Sequence, residues 1–96
     1  MNLLSLNPEE LENAASILKK EASSLQNLRQ DFKTLFDQEQ SWKTSSRKEF
    51  NETALTFLKT IDTKVDEVNE KSTYLKNLAE QARLAQAKEK LKQEQT

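Results

Sequence analysis

The side chains best suited to chemistry in this sequence are two carboxylates, Asp62 and Asp66, which lie four positions apart. On an α-helix that spacing puts both groups on one face, where they could bind a divalent metal ion. Metal sites in helical bundles normally add a Glu-x-x-His motif from other helices, and this sequence has no His. We therefore expect a solvated acidic face here and no metal site.

Other catalytic groups are missing as well. With no His and no Cys, the chain lacks the commonest general base and the commonest thiol nucleophile, and with no Gly it has no phosphate-binding loop. The sequence predicts a protein that is not an enzyme and binds no cofactor. The formal charge of -1, from 15 basic and 16 acidic residues, also argues against a nucleic-acid partner.

The composition predicts an all-α protein of one domain. A chain of 96 residues without Gly, with one Pro and with 32% charged residues, favours long helices over sheets. It has no basic leader with an apolar run, so we expect neither a signal peptide nor stable membrane insertion.

Helix one is predicted over about 8–40. Asn7 suits the cap position, Pro8 the first helical residue and Glu10 the reciprocal position of a capping box. Leu6 and Leu11 have the spacing of a hydrophobic staple. The apolar stripe of this helix alternates steps of four and three: Leu11, Ala15, Leu18, Ala22, Leu25, Arg29, Phe32 and Phe36. We expect Arg29 to snorkel or to pair with a carboxylate.

Helix two is predicted over about 47–85, after a turn at 41–46. Ser46 and Glu49 have capping-box spacing at its start. Its stripe keeps the same rhythm: Ala54, Leu58, Ile61, Val65, Val68, Ser72, Leu75, Ala79 and Ala82. Residues 86–96 are charged and offer little apolar surface, so we expect them to be frayed or disordered. The domain is thus a helical hairpin over 1–85.

The hairpin should be antiparallel, with Phe36 near Phe50 at the turn end. Both stripes are wider than one helix pair can cover, because further apolar residues flank them: Leu28, Leu35, Phe50, Phe57 and Tyr74. We therefore expect two hairpins to pair into a four-helix bundle.

Two aromatic residues have alternative interpretations. Trp42 lies at the turn, where it either closes the end of the bundle or anchors a partner. Tyr74 is favoured as a packing residue, since an aromatic residue at helical spacing usually packs, and a recognition role is the alternative.

The chain resembles the WXG family of small helical-hairpin proteins of type VII secretion. The resemblance covers nearly the whole chain: the length, the two long helices, a Trp in the turn, and an aromatic residue eight positions later, here Trp42 and Phe50. It implies a four-helix bundle made from two hairpins and export in the folded, paired state. Many members of the family are partners of larger secreted effectors, including the LXG toxins of Gram-positive bacteria.

The chain departs from the family pattern at two places. The Trp-x-Gly motif is here Trp42-Lys43-Thr44, without the glycine. The family's export signal is an aromatic residue followed four positions later by an acid, but Tyr74 is followed there by Leu78, and Glu80 is the next acid. Phe57 is likewise followed four positions later by Ile61, which is not an acid. With these departures, the chain most resembles a divergent helical partner of LXG toxins. In such a complex the other subunit could carry the export signal.

The resemblance therefore implies a targeting partner, or chaperone, that binds the helical N-terminal region of an LXG toxin, either alone or together with a second small helical protein. It would be cytoplasmic before export and then secreted or at the cell surface, by a route independent of a signal peptide. The candidate partner-binding residues are Trp42, Phe50, Phe57, Ile61, Val65, Val68, Leu28 and Leu35, and the candidate export-signal region contains Tyr74, Leu78 and Glu80. The alternative is a self-associating, homodimeric coiled-coil adaptor unrelated to secretion.

Overall fold

A computed structural model describes residues 2–38 and 45–95 of the chain. A short 3-10 helix, Leu3–Ser5, is followed by two long helices, α1 (Pro8–Gln38) and α2 (Ser45–Glu94). The described residues contain no strand. The two helices pack against each other, so the predicted fold class, an all-α antiparallel two-helix hairpin, is confirmed.

The start of α1 follows from its capping residues. The side-chain Oδ1 of Asn7 accepts hydrogen bonds from the backbone amides of Glu9 at 3.0 Å and Glu10 at 3.3 Å. These amides have no partner within the helix, so the cap contributes about 1 kcal/mol to its stability. Pro8 is the first helical residue, as predicted. The 3-10 helix before it is capped in the same way by Asn2, which accepts from the amide of Leu4.

Contacts divide the chain into two compact units. Unit 1 consists of Met1–Lys19 and Asn69–Thr96, and unit 2 of Lys20–Val68. In unit 2 the two helices run antiparallel, because successive residues along α1 contact successively earlier residues of α2. The paired side chains are Arg29 with Asp62, Phe32 with Phe57, and Phe36 with Phe50.

The core of unit 2 is made of medium-sized apolar side chains. Ala22, Ile61 and Val65 form a buried cluster, with Leu25 and Val68 packed against it. Ala54 and Leu58 are also buried. Fully burying a side chain such as that of Ile61 contributes about 1.5–3 kcal/mol, so this cluster is a main source of stability for unit 2.

The core of unit 1 is made of small side chains. Ala15, Ala79 and Ala82 are buried together with one polar residue, Ser72. The hydroxyl of Ser72 donates a 2.8 Å hydrogen bond to the backbone carbonyl of Ala15, so its burial leaves no donor unpaired. Side chains this short allow the two helix backbones to approach closely.

Every residue of the two predicted stripes is buried or half-buried. The heptad pattern therefore identified the inward faces of both helices. Its residues fill the interface between α1 and α2 because the steps of four and three keep them on one side of each helix.

The boundaries of helix two differ from the prediction. α2 already includes Ser45, so Ser46, the predicted cap, lies inside its first turn. Residues 41–44 of the predicted turn lie outside the described residues, as does the predicted end of helix one at residue 40.

The prediction of a frayed or disordered segment at 86–96 is corrected over 86–94, which is helical. Its Lys, Glu, Gln, Leu and Ala residues have high helix propensity. The start of this segment is also anchored, because the side-chain amide of Gln86 donates hydrogen bonds to the backbone carbonyls of Leu6 at 2.8 Å and Leu3 at 3.3 Å.

Candidate partner-binding surface

Four exposed or partly exposed apolar side chains lie on one side of unit 2. In an antiparallel helix pair, residues directly before the inward positions of both helices lie on the same side, and residues directly after them lie on the other. Each of the four directly precedes a buried or half-buried residue: Leu28, Leu35, Phe50 and Phe57. We call these four residues the unit 2 apolar face.

Ring contacts hold the aromatic members of this face against α1. The ring of Phe57 lies 4.9 Å from that of Phe32, with the planes tilted by 59°. The rings of Phe50 and Phe36 stack at 5.9 Å, with 28° between their planes, which confirms the predicted proximity at the turn end. Both separations are those of favourable aromatic pairs. Phe57 and Phe50 nevertheless remain 43% and 47% exposed, so each ring presents surface to the solvent.

The opposite side of unit 2 carries an ion pair between the helices. Nε of Arg29 lies 2.6 Å from Oδ1 of Asp62, and Nη2 of Arg29 donates a hydrogen bond to Oδ2 of Asp62 at 3.3 Å. The expectation that Arg29 pairs with a carboxylate is confirmed. Asp62 is thereby engaged by a cation, which reduces its value as a metal ligand beside Asp66. Among the described residues, no group of three or more acidic, His or Cys side chains is placed to hold a metal ion.

A shallow hollow on α2 extends the apolar face. It is lined by Glu52, Thr53, Thr56, Phe57 and Thr60. The last four have the i, i+3, i+4, i+7 spacing of the hole that receives a knob side chain in helix packing. The hydroxyls of Thr56 and Thr60 donate to the carbonyls four residues earlier, at 3.0 and 2.9 Å. With these donors engaged, their methyl groups add apolar surface beside Phe57.

The unit 2 apolar face and its hollow thus present exposed apolar surface on one side of the hairpin. Comparisons with models of protein families, curated proteins and solved structures find no match. Among the described residues, no helix has both the length and the apolar character that crossing a bilayer requires.

Three of the predicted partner-binding residues lie at the interface between α1 and α2 in unit 2. Ile61 and Val65 are buried in the core of unit 2, and Val68 is half-buried against them. These three face α1 because they belong to the stripe, so they stabilise the hairpin itself. Leu28, Leu35, Phe50 and Phe57 remain as surface candidates, and Trp42 lies outside the described residues.

The candidate export-signal region lies on α2 in unit 1. Tyr74, for which packing at the edge of the helix interface was favoured, is 61% exposed. Leu78 is half-buried and Glu80 is exposed. Glu80 lines a second hollow together with Glu12, Ala15, Ser16 and Lys76. An ion pair lies in the same unit: Arg83 contacts Oε1 of Glu12 through both Nη2, at 2.6 Å, and Nε, at 2.8 Å.

Sequence reasoning missed several exposed apolar residues. They occupy positions outside the heptad stripes and outside the flanking residues named above: Ile17, Leu55, Leu84 and Leu91. Leu55 directly follows buried Ala54, which places it on the side of unit 2 opposite the apolar face. The heptad position of Leu55 was the feature of the sequence that could have predicted its exposure.

Proposed function

We propose that this chain is a non-enzymatic targeting partner that binds the helical N-terminal region of a larger secreted effector of the LXG type. The observation that carries the proposal is the unit 2 apolar face. The inward stripes already supply the core of the hairpin, yet Leu28, Leu35, Phe50 and Phe57 present apolar surface on one side. A surface of this kind is typical of a protein interaction site.

The shape of this face favours a helix as the binding element. Its members recur at seven-residue spacing along each helix, as 28 and 35 on α1 and 50 and 57 on α2. An amphipathic helix lying along the hairpin presents apolar side chains at matching intervals and can insert one into the threonine-lined hollow. Binding then removes this apolar surface from water, which contributes about 25 cal/mol for each Å² buried.

The assignment to type VII secretion rests on the sequence resemblance. Trp42 and Phe50 carry that resemblance, together with the length and the helical hairpin. In this proposal the chain pairs with its effector in the cytoplasm and accompanies it by a route independent of a signal peptide, to the cell surface or beyond. Trp42 and the region of Tyr74, Leu78 and Glu80 would be read by the partner or the secretion apparatus.

Co-expression with defined effector fragments tests the proposal. The chain is produced with the N-terminal helical region of an LXG effector from the same organism, and separately with the C-terminal toxin region of that effector as the control. We expect a stable complex of defined stoichiometry with the N-terminal region alone, measured by light scattering after size-exclusion chromatography. Separate elution of the chain from every such N-terminal region would contradict the proposal and favour the homodimeric adaptor.

A further inference from the structure

Residues 2–6, which we call the arm, lie against α2 beyond the level at which α1 begins. In unit 1, Ser72 of α2 lies opposite Ala15 of α1, because its hydroxyl donates to the Ala15 carbonyl. Pro8, the first residue of α1, is seven residues before Ala15. The antiparallel register therefore places Pro8 opposite Ala79, which is seven residues after Ser72. The arm, and not α1, lies opposite the part of α2 that follows.

The inward stripe of α2 continues into this part of the helix. Ala82 is completely buried, and Gln86 and Glu89 are half-buried, whereas the other residues of 87–94 are exposed. The steps of four and three between these positions are those of the rest of the stripe. We call residues 86–94 the tail of α2. The arm thus takes the place of α1 against the first turn of the tail.

One side chain joins the arm to the tail through two hydrogen bonds. The amide of Gln86 donates to the carbonyl of Leu6 at 2.8 Å and to the carbonyl of Leu3 at 3.3 Å. Both leucines are half-buried. The backbone ladder of α1 begins one residue after Leu6, where the carbonyl of Asn7 accepts from the amide of Leu11. The carbonyl of Leu6 therefore precedes the ladder of α1 and accepts from α2 instead.

Internal hydrogen bonds fix the shape of the arm. Oδ1 of Asn2 accepts from the amide of Leu4 at 2.9 Å, and the carbonyl of Asn2 accepts from the amide and the hydroxyl of Ser5 at 3.1 and 2.9 Å. Residues three apart lie on one side of a 3-10 helix, which is why Leu3 and Leu6 are the half-buried residues of the arm. The arm is therefore ordered by its own bonds and loses less conformational entropy when it docks.

The tail has little apolar packing of its own. Its apolar residues are Ala87 and Leu91, both exposed, and its other residues are Gln, Lys and Glu. High helix propensity alone leaves a short helical segment marginal in water. The contact with the arm is therefore the interaction that distinguishes this tail from a fraying helix end.

We infer that the arm is a latch for the tail of α2. While the arm is docked, the tail is presented as a continuation of the helix, and release of the arm lets the tail fray. The coupling is mutual, so loss of the tail contact also loosens the arm. The latch lies wholly within unit 1 and does not depend on the proposed function.

Amide hydrogen exchange of the full chain, followed by NMR, tests the latch in Gln86→Ala. This change removes both donors but raises the helix propensity of the tail, so a purely local effect would slow exchange there. We expect the amides of residues 88–91 to exchange about five- to tenfold faster than in wild type, together with those of Ser5 and Leu6. Gln81→Ala, at an exposed position of the same helix, is the matched control and should leave both sets of rates within about twofold.

Asn2→Ala tests the latch from the side of the arm. It removes the side-chain cap of the 3-10 helix and leaves α2 unchanged, and we expect exchange at 88–91 to become about threefold faster.

Four outcomes overturn the latch. They are tail exchange in Gln86→Ala that is unchanged or slower, a faster tail without a faster arm, a tail in Asn2→Ala as protected as in wild type, or equal acceleration at residues 76–79. The last outcome would show a general loss of stability in unit 1 and no local latch.

Discussion

Leu28 and Leu55 are each 53% exposed, yet they lie on opposite sides of unit 2. Leu28 precedes Arg29 in α1 and belongs to the apolar face, whereas Leu55 follows Ala54 in α2 and lies on the side of the Arg29–Asp62 ion pair. Because the two residues share type and exposure, they form a matched pair of variants. A difference in binding between the two variants therefore measures the contribution of the unit 2 apolar face and not the general effect of removing a leucine.

Leu28→Gln and Leu55→Gln should each change the free energy of unfolding of the monomer by less than about 0.5 kcal/mol, because both side chains are largely in water already. Urea unfolding followed by circular dichroism, at a concentration where wild type is monomeric, measures this. A loss of about 2 kcal/mol or more for Leu28→Gln would show that Leu28 holds the hairpin together, and would remove it from the surface candidates.

The Arg29–Asp62 pair should contribute modestly to stability. Arg29→Gln, Asp62→Asn and the double variant form a cycle whose coupling free energy we expect to be about 0.5–1 kcal/mol, since both side chains are partly exposed. The coupling should fall as salt is added. Strictly additive effects in urea unfolding would mean that the 2.6 Å contact adds nothing to folding.

Ser72 should tolerate little extra volume. Ser72→Val adds bulk where the helices of unit 1 pack through small side chains and removes the donor to the Ala15 carbonyl. We expect a loss of about 1–3 kcal/mol in the free energy of unfolding. Thr73→Val, at the exposed neighbouring position, is the control and should change it by less than about 0.5 kcal/mol. Equal effects at both positions would contradict close packing at Ser72.

Trp42→Ala tests the turn. From its place in the sequence between the two helices, we predict that helicity measured by circular dichroism stays nearly intact while capture of the effector region weakens. A collapse of helicity in the variant would instead assign Trp42 to the core of the hairpin.

Much of the fold could be predicted because it depends on periodicity and capping. The steps of four and three identified every stripe residue, and Asn7 with Pro8 fixed the start of α1. The end of α2 could not be placed in this way. Its last turns have helix propensity without an apolar stripe, and their anchor is the long-range bond from Gln86 to the carbonyl of Leu6.

The candidate surface was predicted only in part. The breadth of the stripes indicated that Leu28, Leu35, Phe50 and Phe57 would exceed what one helix pair covers, and they are exposed or partly exposed. Ile61 and Val65 were included as partner contacts although their stripe positions face α1. Separating surface from core required the antiparallel register, which only the contacts between α1 and α2 supply.

The most direct test of the proposed function is the affinity for a purified LXG effector N-terminal region, measured by titration calorimetry. Wild type is compared with the Leu28→Gln/Leu35→Gln double variant and with Leu55→Gln. We predict that the double variant binds about a hundredfold more weakly, since each lost apolar anchor costs about 1–2 kcal/mol, and that Leu55→Gln stays within about threefold of wild type. Equal affinities for all three proteins, or a larger loss for Leu55→Gln, would contradict binding through the unit 2 apolar face.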